Sequence, residues 1–285
     1  MKKSEIEELE LRLLLDAMYH RYGYDFRDYA RASVERRARQ FLGKAGLSTI
    51  SEMIPLLLHN VSFFQTLIRE FSITVTEMFR DPGVYRVIKE QVFPVLQTYP
   101  FIKIWHAGCA TGEEVYSLAI LLQEAGLYTR ATIFATDFND EALEKAKQGI
   151  YHLENIKQCT INYQKGGGSE SFSQYYQAKY DSIVMDKTLR KNITFANHNL
   201  VTDQTFGEMH LVLCRNVLIY FNKTLQNRAL DLFDDSLRPG GFLCLGNKES
   251  LLFWDRAKHY EAVEESARVF QKKYQPERLN MTNGY

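Results

Sequence analysis

The chain has 285 residues, of which 45% are hydrophobic and 25% charged, as in globular proteins with one large or two ordinary domains. Lys+Arg and Asp+Glu both total 35, and this balance argues against broad nonspecific nucleic-acid binding. No apolar run approaches the roughly 20 residues of a membrane span, and the start MKKSEIEELE lacks the apolar region of a secretory signal. The four scattered cysteines form no CxxC pair. We therefore expect a cytoplasmic protein with reduced structural thiols, no metal site, no nucleic-acid partner and no membrane insertion.

The first 75 residues predict a small all-α domain. Apolar residues recur at three- and four-residue steps from Ile6 to Tyr22, which predicts an amphipathic helix ended by Gly23. A second helix is predicted over Phe26–Leu42. A third is predicted to be opened by Ser48 or Thr49, with Glu52 three residues after Thr49 as a capping box, and a fourth covers VSFFQTLIREFS.

From residue 101 onward, short apolar strands alternate with helices. The strands FIKIWHA, ATIFATD, HLVLC and FLCLG are separated by helices such as EEVYSLAILLQEAG, NDEALEKAKQG and KTLQNRALDLFDDSL. This alternation predicts an α/β domain with a doubly wound, mostly parallel sheet over residues 101–285, joined to the helical domain by a linker at 76–100. The pattern breaks at about 151–195, which predicts a small inserted β-subdomain.

The loop HAGCATGEE follows the first predicted strand, at the edge where open α/β sheets bind ligands. Gly108 and Gly112 allow a sharp turn and close approach of a ligand, but the loop is neither GxGxxG nor a Walker motif. Phosphate would be repelled by Glu113 and Glu114, so a cationic ligand such as S-adenosylmethionine fits better. Both glutamates could instead be favourable first-turn helix charges.

Asp137 ends the second predicted strand, where an acid can accept hydrogen bonds from ribose hydroxyls. That position would suit NAD as well as S-adenosylmethionine. Alternatively, Asp137 or Asn139 caps the following helix.

The run LVLCRNVLIYF places Arg215 and Asn216 within an apolar segment, where unpaired polar groups would be costly. They therefore indicate the end of a strand beside the ligand, with Tyr220 either in the site or in the core. Asn199 and Leu200 mark a similar exit from a strand.

The segment SITVTEMFRDP joins the helical and α/β parts and carries Thr74, Thr76 and Arg80. Asp81-Pro82 ends one element and begins the next. The guanidinium of Arg80 could bind a carboxylate of the cofactor or substrate, or could form a salt bridge between the two domains.

The motifs IWHAGCATGEEVYSLAILL, IFATDFNDEALEKAKQGIY, LVLCRNVLIYF, RPGGFLCLGNKESL and SITVTEMFRDP together resemble those of the CheR-type chemoreceptor methyltransferases, in order and across nearly the whole chain. The resemblance implies a Rossmann-like methyltransferase domain, preceded by a small all-α domain and carrying an inserted β-subdomain. It also implies methyl transfer from S-adenosylmethionine to glutamate side chains on the cytoplasmic helices of chemoreceptors, with S-adenosylhomocysteine as the product.

By matching positions, the resemblance assigns cofactor contacts to Thr74, Thr76, Arg80, Glu113, Asp137, Asn199, Leu200, Arg215 and Asn216. Arg80 and Tyr220 match the family's polar residues nearest the transferred methyl group, so they are the candidate catalytic residues. Two positions depart from the family: Thr74 stands where Asn is common, and GNKES replaces GHSES.

The expected reaction needs orientation more than proton transfer. A glutamate carboxylate has a reference pKa of about 4.3 and is already ionised at pH 7. Catalysis then consists mainly of aligning carboxylate oxygen, methyl carbon and sulfur, with Arg80 and Tyr220 holding the acceptor.

The helical domain offers a candidate substrate surface in RASVERRARQ, where Arg36 and Arg39 share a helix face that an acidic receptor helix could contact. The same residues could form an ordinary solvated face. In some family members the β-subdomain binds a receptor-tail peptide, and the run KGGG leaves that use open here.

Two other functions stay open at this stage. A nicotinamide-dependent oxidoreductase would share the ribose acid but lacks GxGxxG. A noncatalytic module would bind the cofactor or the receptor without transferring a methyl group. We expect a monomer.

Overall fold

The computed structural model describes residues 2–72 and 76–274. Its N-terminal part contains the helices α1 (Lys3–Tyr22), α2 (Arg31–Ala45), α3 (Met53–His59) and α4 (Val61–Phe71). Gly23 ends α1 in the left-handed conformation (φ 78°), as predicted. These helices share an apolar core that includes Leu14, Met18 and Leu67, none of which is exposed to solvent.

Two helix starts differ from the prediction. α2 begins at Arg31 instead of Phe26, because the chain before it pairs with a distant segment: Tyr29 forms an isolated antiparallel bridge with Phe221. Near Thr49 the chain makes a 3₁₀ turn, Ile50–Glu52, before α3 begins.

A bent helical segment leads from this helical part to the sheet. It comprises α5 (Pro82–Val87), a π-helical turn (Ile88–Val92) and α6 (Phe93–Leu96). Pro82 occupies the first turn of α5, where its missing N–H is not needed. The predicted domain limits 1–75, 76–100 and 101–285 stay predictions.

A seven-stranded sheet forms the centre of the α/β part, in the order β6-β2-β1-β7-β8-β10-β9. Its strands are β1 (Ile102–Ala107), β2 (Ala131–Asp137), β6 (Ile193–Asn197), β7 (Met209–Cys214), β8 (Leu237–Leu245), β9 (Tyr260–Glu264) and β10 (Val269–Lys272). The strands from β6 to β8 pair in parallel, and β10 pairs antiparallel with β8 and β9. Strand order reverses beside β1, so a ligand crevice is expected at the carboxyl ends of β1 and its neighbours.

The helices of this part are α7 (Glu113–Glu124), α8 (Asp140–Gln148) and α10 (Lys223–Ser236). Apolar side chains of the strands and helices form two buried clusters, one of which surrounds Trp105 and Phe233. Every residue of α7 from Glu114 to Leu122 is buried, because the sheet covers one face of the helix and other segments, which include the chain at Phe79 and Ala146, cover the rest.

A smaller sheet is present where an inserted β-subdomain is predicted, although residues 193–195 of the predicted range belong to β6 of the large sheet. The strands β3 (Ile150–His152), β4 (Tyr176–Lys179) and β5 (Ser182–Met185) pair antiparallel in the order β3-β5-β4, accompanied by α9 (Ile156–Lys165). Glu124 of α7 anchors the insertion, because its carboxylate accepts hydrogen bonds from the Tyr163 and Tyr175 hydroxyls and from the Ser169 N–H.

Among the described residues, no single helix combines the length and the apolar composition needed to cross a membrane. One bent pair, α2 followed by Ile50–His59 at 70°, meets both criteria when the two helices are taken together.

Candidate active site

A cleft opens at the carboxyl ends of the parallel strands. Each of four strands contributes the residues that end or follow it: Gly108 after β1, Asp137 at the end of β2, Asn199 and Leu200 after β6, and Asn216 after β7. Predicted residues that are far apart in the chain therefore lie around one space. Tyr220 also lines it, while Tyr29, Ser33 and Arg37 line it from the helical domain.

Gly108 permits the close packing at the base of this cleft. Its φ is +69°, and a Cβ atom at this position would lie 2.6 Å from Cγ2 of Val217. A larger residue would force the β1–α7 loop away from the chain that follows β7.

Asp137 is buried, and backbone donors hold its carboxylate. The N–H of Asn139 donates to Oδ1 at 2.9 Å, and the N–H of Ala110 donates to Oδ2 at 2.8 Å. Burial raises the pKa of Asp137, and these hydrogen bonds oppose the rise. The cap of α8 is Asn139, whose side chain accepts from the N–H of Ala142, so Asp137 does not serve as the cap.

Two polar atoms of cleft-lining residues are suited to a polar ligand. They are Nδ1 of His198 and Oδ1 of Asn216, and within residues 2–72 and 76–274 neither has a hydrogen-bond partner although both are buried. His198 Nε2 lies 3.0 Å from the carbonyl of Gln204, which makes Nε2 the donor and leaves Nδ1 as an acceptor. With the carboxylate of Asp137, these acceptors match the hydroxyl and amino groups of an adenosine.

Arg215 points into the protein interior. Its side chain is 0% exposed and donates to the Glu114 carboxylate, to Asp81 Oδ2 at 2.8 Å and to the Arg80 carbonyl at 3.0 Å. Burial raises the pKa of Glu114, and the charge of Arg215 opposes that rise. Arg215 and Glu114 thus form a buried ion pair beneath the turn Phe79–Asp81 (the Arg80 turn).

The backbone around Arg80 has an unusual conformation. Phe79 and Asp81 have positive φ angles of 54° and 53°, a conformation that non-glycine residues adopt only when their surroundings stabilise it. The contacts of Arg215 and a hydrogen bond from the Phe79 N–H to Ser117 Oγ at 2.9 Å supply that stabilisation.

Glu113 and Thr76 line a second cleft, between the β1–α7 loop and the inserted subdomain. Thr111 Oγ1 donates to Glu113 Oε2 at 2.7 Å. Burial raises the pKa of Glu113 to about 7, and the Thr111 hydrogen bond opposes the rise. Thr74 lies outside the described residues.

Arg36 and Arg39 line a shallow depression on the outer face of α2. Arg39 pairs with Glu7 at 3.0 Å, and Arg31 pairs with Glu35 at 2.8 Å, so part of this basic face is neutralised. Arg37 turns inward instead and donates to the carbonyls of Glu70 and Phe71.

Sequence reasoning did not identify Tyr29, Ser33, Arg37 and His198 as cleft residues. His198 precedes the predicted Asn199-Leu200 pair, so its position was a usable signal. The other three lie in the helical part, where no local pattern indicates a contact with the distant sheet.

Within the described part of the chain, no group of three or more His, Cys, Asp or Glu side chains is arranged to hold a metal ion.

Two family models match the chain. The model described as CheR methyltransferase, all-alpha domain, matches residues 9–72, and that described as CheR methyltransferase, SAM binding domain, matches residues 74–269.

Three curated relatives match over most of their own length. "Putative methyltransferase Cher3" of Pseudomonas putida is 48% identical over 95% of this chain and 100% of its own. A chemotaxis protein methyltransferase of Listeria innocua is 32% identical over 81% of this chain and 86% of its own, and one of Escherichia coli is 28% identical over 90% and 89%. Among solved structures, the N-methyltransferase NodS of Bradyrhizobium japonicum, in complex with S-adenosyl-l-homocysteine, is 15% identical over 59% of this chain and 62% of its own, with a TM-score of 0.34.

Proposed function

Since the chain belongs to the CheR methyltransferase family, we propose that it is a protein-glutamate O-methyltransferase that forms methyl esters on glutamate side chains of chemoreceptors. S-adenosylmethionine is its cofactor, and its general function is methylation in chemotaxis. The proposal of a glutamate acceptor rests on one observation. Asp137, Asn199, Asn216 and Tyr220 line a single cleft beside helix α2, which carries a basic face.

The cleft residues suit an adenosine-containing cofactor. Asp137 would accept hydrogen bonds from the ribose, and Asn199 and Leu200 would border the adenine. His198 and Asn216 would supply the same ligand with acceptors, since His198 Nδ1 and Asn216 Oδ1 are buried without a hydrogen-bond partner in residues 2–72 and 76–274. Bound there, the cofactor supplies a methyl group activated by a sulfonium.

The protein's own task is then to position the acceptor. A glutamate carboxylate is ionised at neutral pH, with a reference pKa of about 4.3, and needs no general base. Arg80 and Tyr220 orient that carboxylate by hydrogen bonds, and the cleft walls limit the access of water. A very tight ion pair would stabilise the ground state and slow the reaction, so their role is orientation rather than strong binding.

In this proposal, Glu113 and Thr76 contact the methionine end of the cofactor. Glu113 is a half-buried carboxyl with one hydroxyl partner, Thr111, and an ammonium group nearby would favour its ionised form. Thr74 is proposed for the same end. Arg215 is proposed to act through the Arg80 turn that it holds.

The acceptor is proposed to be an acidic, helical, cytoplasmic segment of a chemoreceptor. Arg36 and Arg39 on α2 provide a basic face for it. The enzyme is proposed to act as a cytoplasmic monomer.

Arg80→Ala tests the catalytic assignment, with Arg86→Ala as its control. Arg86 is an exposed arginine of the neighbouring helix α5 and donates to the carbonyl of Lys165. We expect Arg80→Ala to lower methyl transfer from radiolabelled S-adenosylmethionine to receptor membranes by roughly tenfold or more, a loss typical of a misplaced acceptor, while Arg86→Ala retains it. Unchanged methyl transfer and cofactor affinity in Arg80→Ala would show the assignment to be wrong.

A further inference from the structure

The chain between α1 and α2 reaches across to the segment that carries Tyr220. Tyr29 and Phe221 form an antiparallel bridge. The N–H of Ala30 donates to the Tyr220 carbonyl at 2.7 Å, and the N–H of Asn222 donates to the Asp28 carbonyl at 2.9 Å. Two backbone hydrogen bonds therefore tie the start of α2 to the residues on either side of Phe221.

Side chains reinforce the same bridge. The ring of Tyr29 meets the ring of Phe221 edge-on, with centroids 4.9 Å apart, and lies 4.7 Å from the ring of Phe26 in the helical core. Asn222 Nδ2 donates to Asp28 Oδ1 at 3.0 Å. The contact is thus continuous from the helical core to the 3₁₀ turn Leu218–Tyr220 (the Tyr220 turn).

Tyr29 also lines the cleft that Asp137 borders from the sheet side. A tyrosine hydroxyl, with an ordinary pKa of about 10, is protonated at neutral pH and can donate a hydrogen bond; burial and the charge of Asp137 raise the pKa of Tyr29 further. A tyrosine here offers an apolar ring and one donor, a combination suited to a nucleoside.

We propose that Tyr29 is a positioning residue of the cofactor cleft: its ring closes the cleft from the helical domain, and its bridge to Phe221 holds the Tyr220 turn in place. The helical domain is then a wall of the cofactor site as well as a surface for the acceptor. The inference depends on this cleft being the cofactor site and not on which acceptor is methylated.

The test is the affinity of the full chain for S-adenosylhomocysteine, measured by titration calorimetry for the wild type, Tyr29→Ala and Tyr29→Phe. We expect Tyr29→Ala to bind about tenfold more weakly, because the cleft loses one wall. Tyr29→Phe keeps the ring and loses only the hydroxyl donor, so it should bind more tightly than Tyr29→Ala and within about fivefold of the wild type. If Tyr29→Ala does not fold, Tyr29→Leu replaces it with the same expected direction.

Tyr22→Ala is the matched control, because it also removes a tyrosine ring from the helical core. Tyr22 stacks on Phe64, with centroids 3.7 Å apart, and does not line this cleft among the described residues. We expect Tyr22→Ala to lower thermal stability but to leave the affinity within about threefold. Equal weakening by both alanine variants would overturn the inference, since it would reflect general damage to the domain.

Hydrogen exchange provides a readout of the bridge itself. In the wild type, S-adenosylhomocysteine should slow exchange at the amides of Ala30 and Asn222, and Tyr29→Ala should abolish that protection. A folded Tyr29→Ala that binds within twofold of the wild type and keeps the protection would overturn the inference. If the wild type binds S-adenosylhomocysteine but methylates no receptor, the proposed function fails while the role of Tyr29 stands.

Discussion

Glu113 and Glu114 are adjacent in the chain, but their carboxylates have different surroundings. Glu114 pairs with the buried guanidinium of Arg215, while Glu113 lines the second cleft with Thr111 as its hydroxyl partner. Successive helical residues point about 100° apart, so one faces the sheet and the other the loop. The carboxylate of Glu114 therefore stabilises the Arg80 turn, and the carboxylate of Glu113 is available to a ligand.

Glu114→Ala should destabilise the protein strongly. It leaves the 0% exposed guanidinium of Arg215 with Asp81 as its remaining carboxylate partner among the described residues, and breaking a buried pair in this way typically costs about 3–5 kcal/mol. The free energy of unfolding in urea measures the loss.

The control is Glu144→Ala, which removes an exposed pair with Lys147. Exposed pairs contribute about 0–1 kcal/mol, so this variant should unfold nearly as the wild type does. A loss below about 1 kcal/mol in Glu114→Ala would contradict the assignment of a buried ion pair.

Glu113 should make folding stability decrease as the pH rises. Burial raises its pKa from 4.5 to about 7, so between these values the folded state binds more protons than the unfolded state. The contribution of Glu113 to the free energy of unfolding is complete below pH 4.5. It is lost as the pH rises to 7, by up to about 3 kcal/mol.

Glu113→Gln removes this titration, and the difference between the two proteins isolates it from other groups. We expect the variant to gain stability relative to the wild type between pH 5 and pH 8, as measured by urea unfolding at both pH values. A difference between the two proteins that is independent of pH would refute the raised pKa.

At the scale of elements, α2 presents two different faces, an outer basic face and an inner face beside the cleft. Its outer face carries Arg36 and Arg39, while Arg37 donates to the carbonyls of Glu70 and Phe71 and places its guanidinium 5.7 Å from the centre of the Tyr220 ring. The outer face can therefore be altered without touching the contacts with the cleft.

Charge reversal of Arg36 and Arg39 to Glu should raise the KM for the receptor by roughly tenfold or more, because an acidic acceptor would be repelled. Affinity for S-adenosylhomocysteine should stay unchanged. The matched control reverses Lys258 and Lys273, two exposed lysines that do not line the described part of the cofactor cleft, and changes the net charge equally. Equal effects of the two double variants would show that net charge, and not the α2 face, is responsible.

Local sequence patterns predicted most elements but not their long-range partners. Periodicity predicted α1 and its end at Gly23, and the alternation of strands and helices predicted the parallel sheet and its insertion. The start of α2 was wrong because the bridge of Tyr29 to Phe221, about 190 residues apart, overrides local helix preference. Local sequence patterns likewise could not predict the interior position of Arg215, since its partners come from two other segments of the chain.

At the scale of the whole molecule, the helical part and the sheet enclose the cleft together. Phe138, which follows β2, packs edge-on against Tyr24 and Phe26 of the helical part, with ring centroids 6.1 Å and 5.9 Å apart. Arg69 of α4 pairs with Glu141 of α8 at 3.3 Å. The proposed acceptor surface on α2, the candidate catalytic turn and the proposed cofactor cleft therefore belong to one continuous packing arrangement.

The central claim is methyl-ester formation on receptor glutamates, and identification of the modified residue tests it most directly. The purified protein would be incubated with S-adenosylmethionine and membranes that contain the organism's chemoreceptors, and receptor peptides would then be sequenced by tandem mass spectrometry before and after alkaline treatment. We predict one added methyl group on glutamate side chains of cytoplasmic helices, removed by alkali with release of methanol. Cofactor binding without any receptor methylation, or an alkali-stable methyl group on another residue type, would contradict the account.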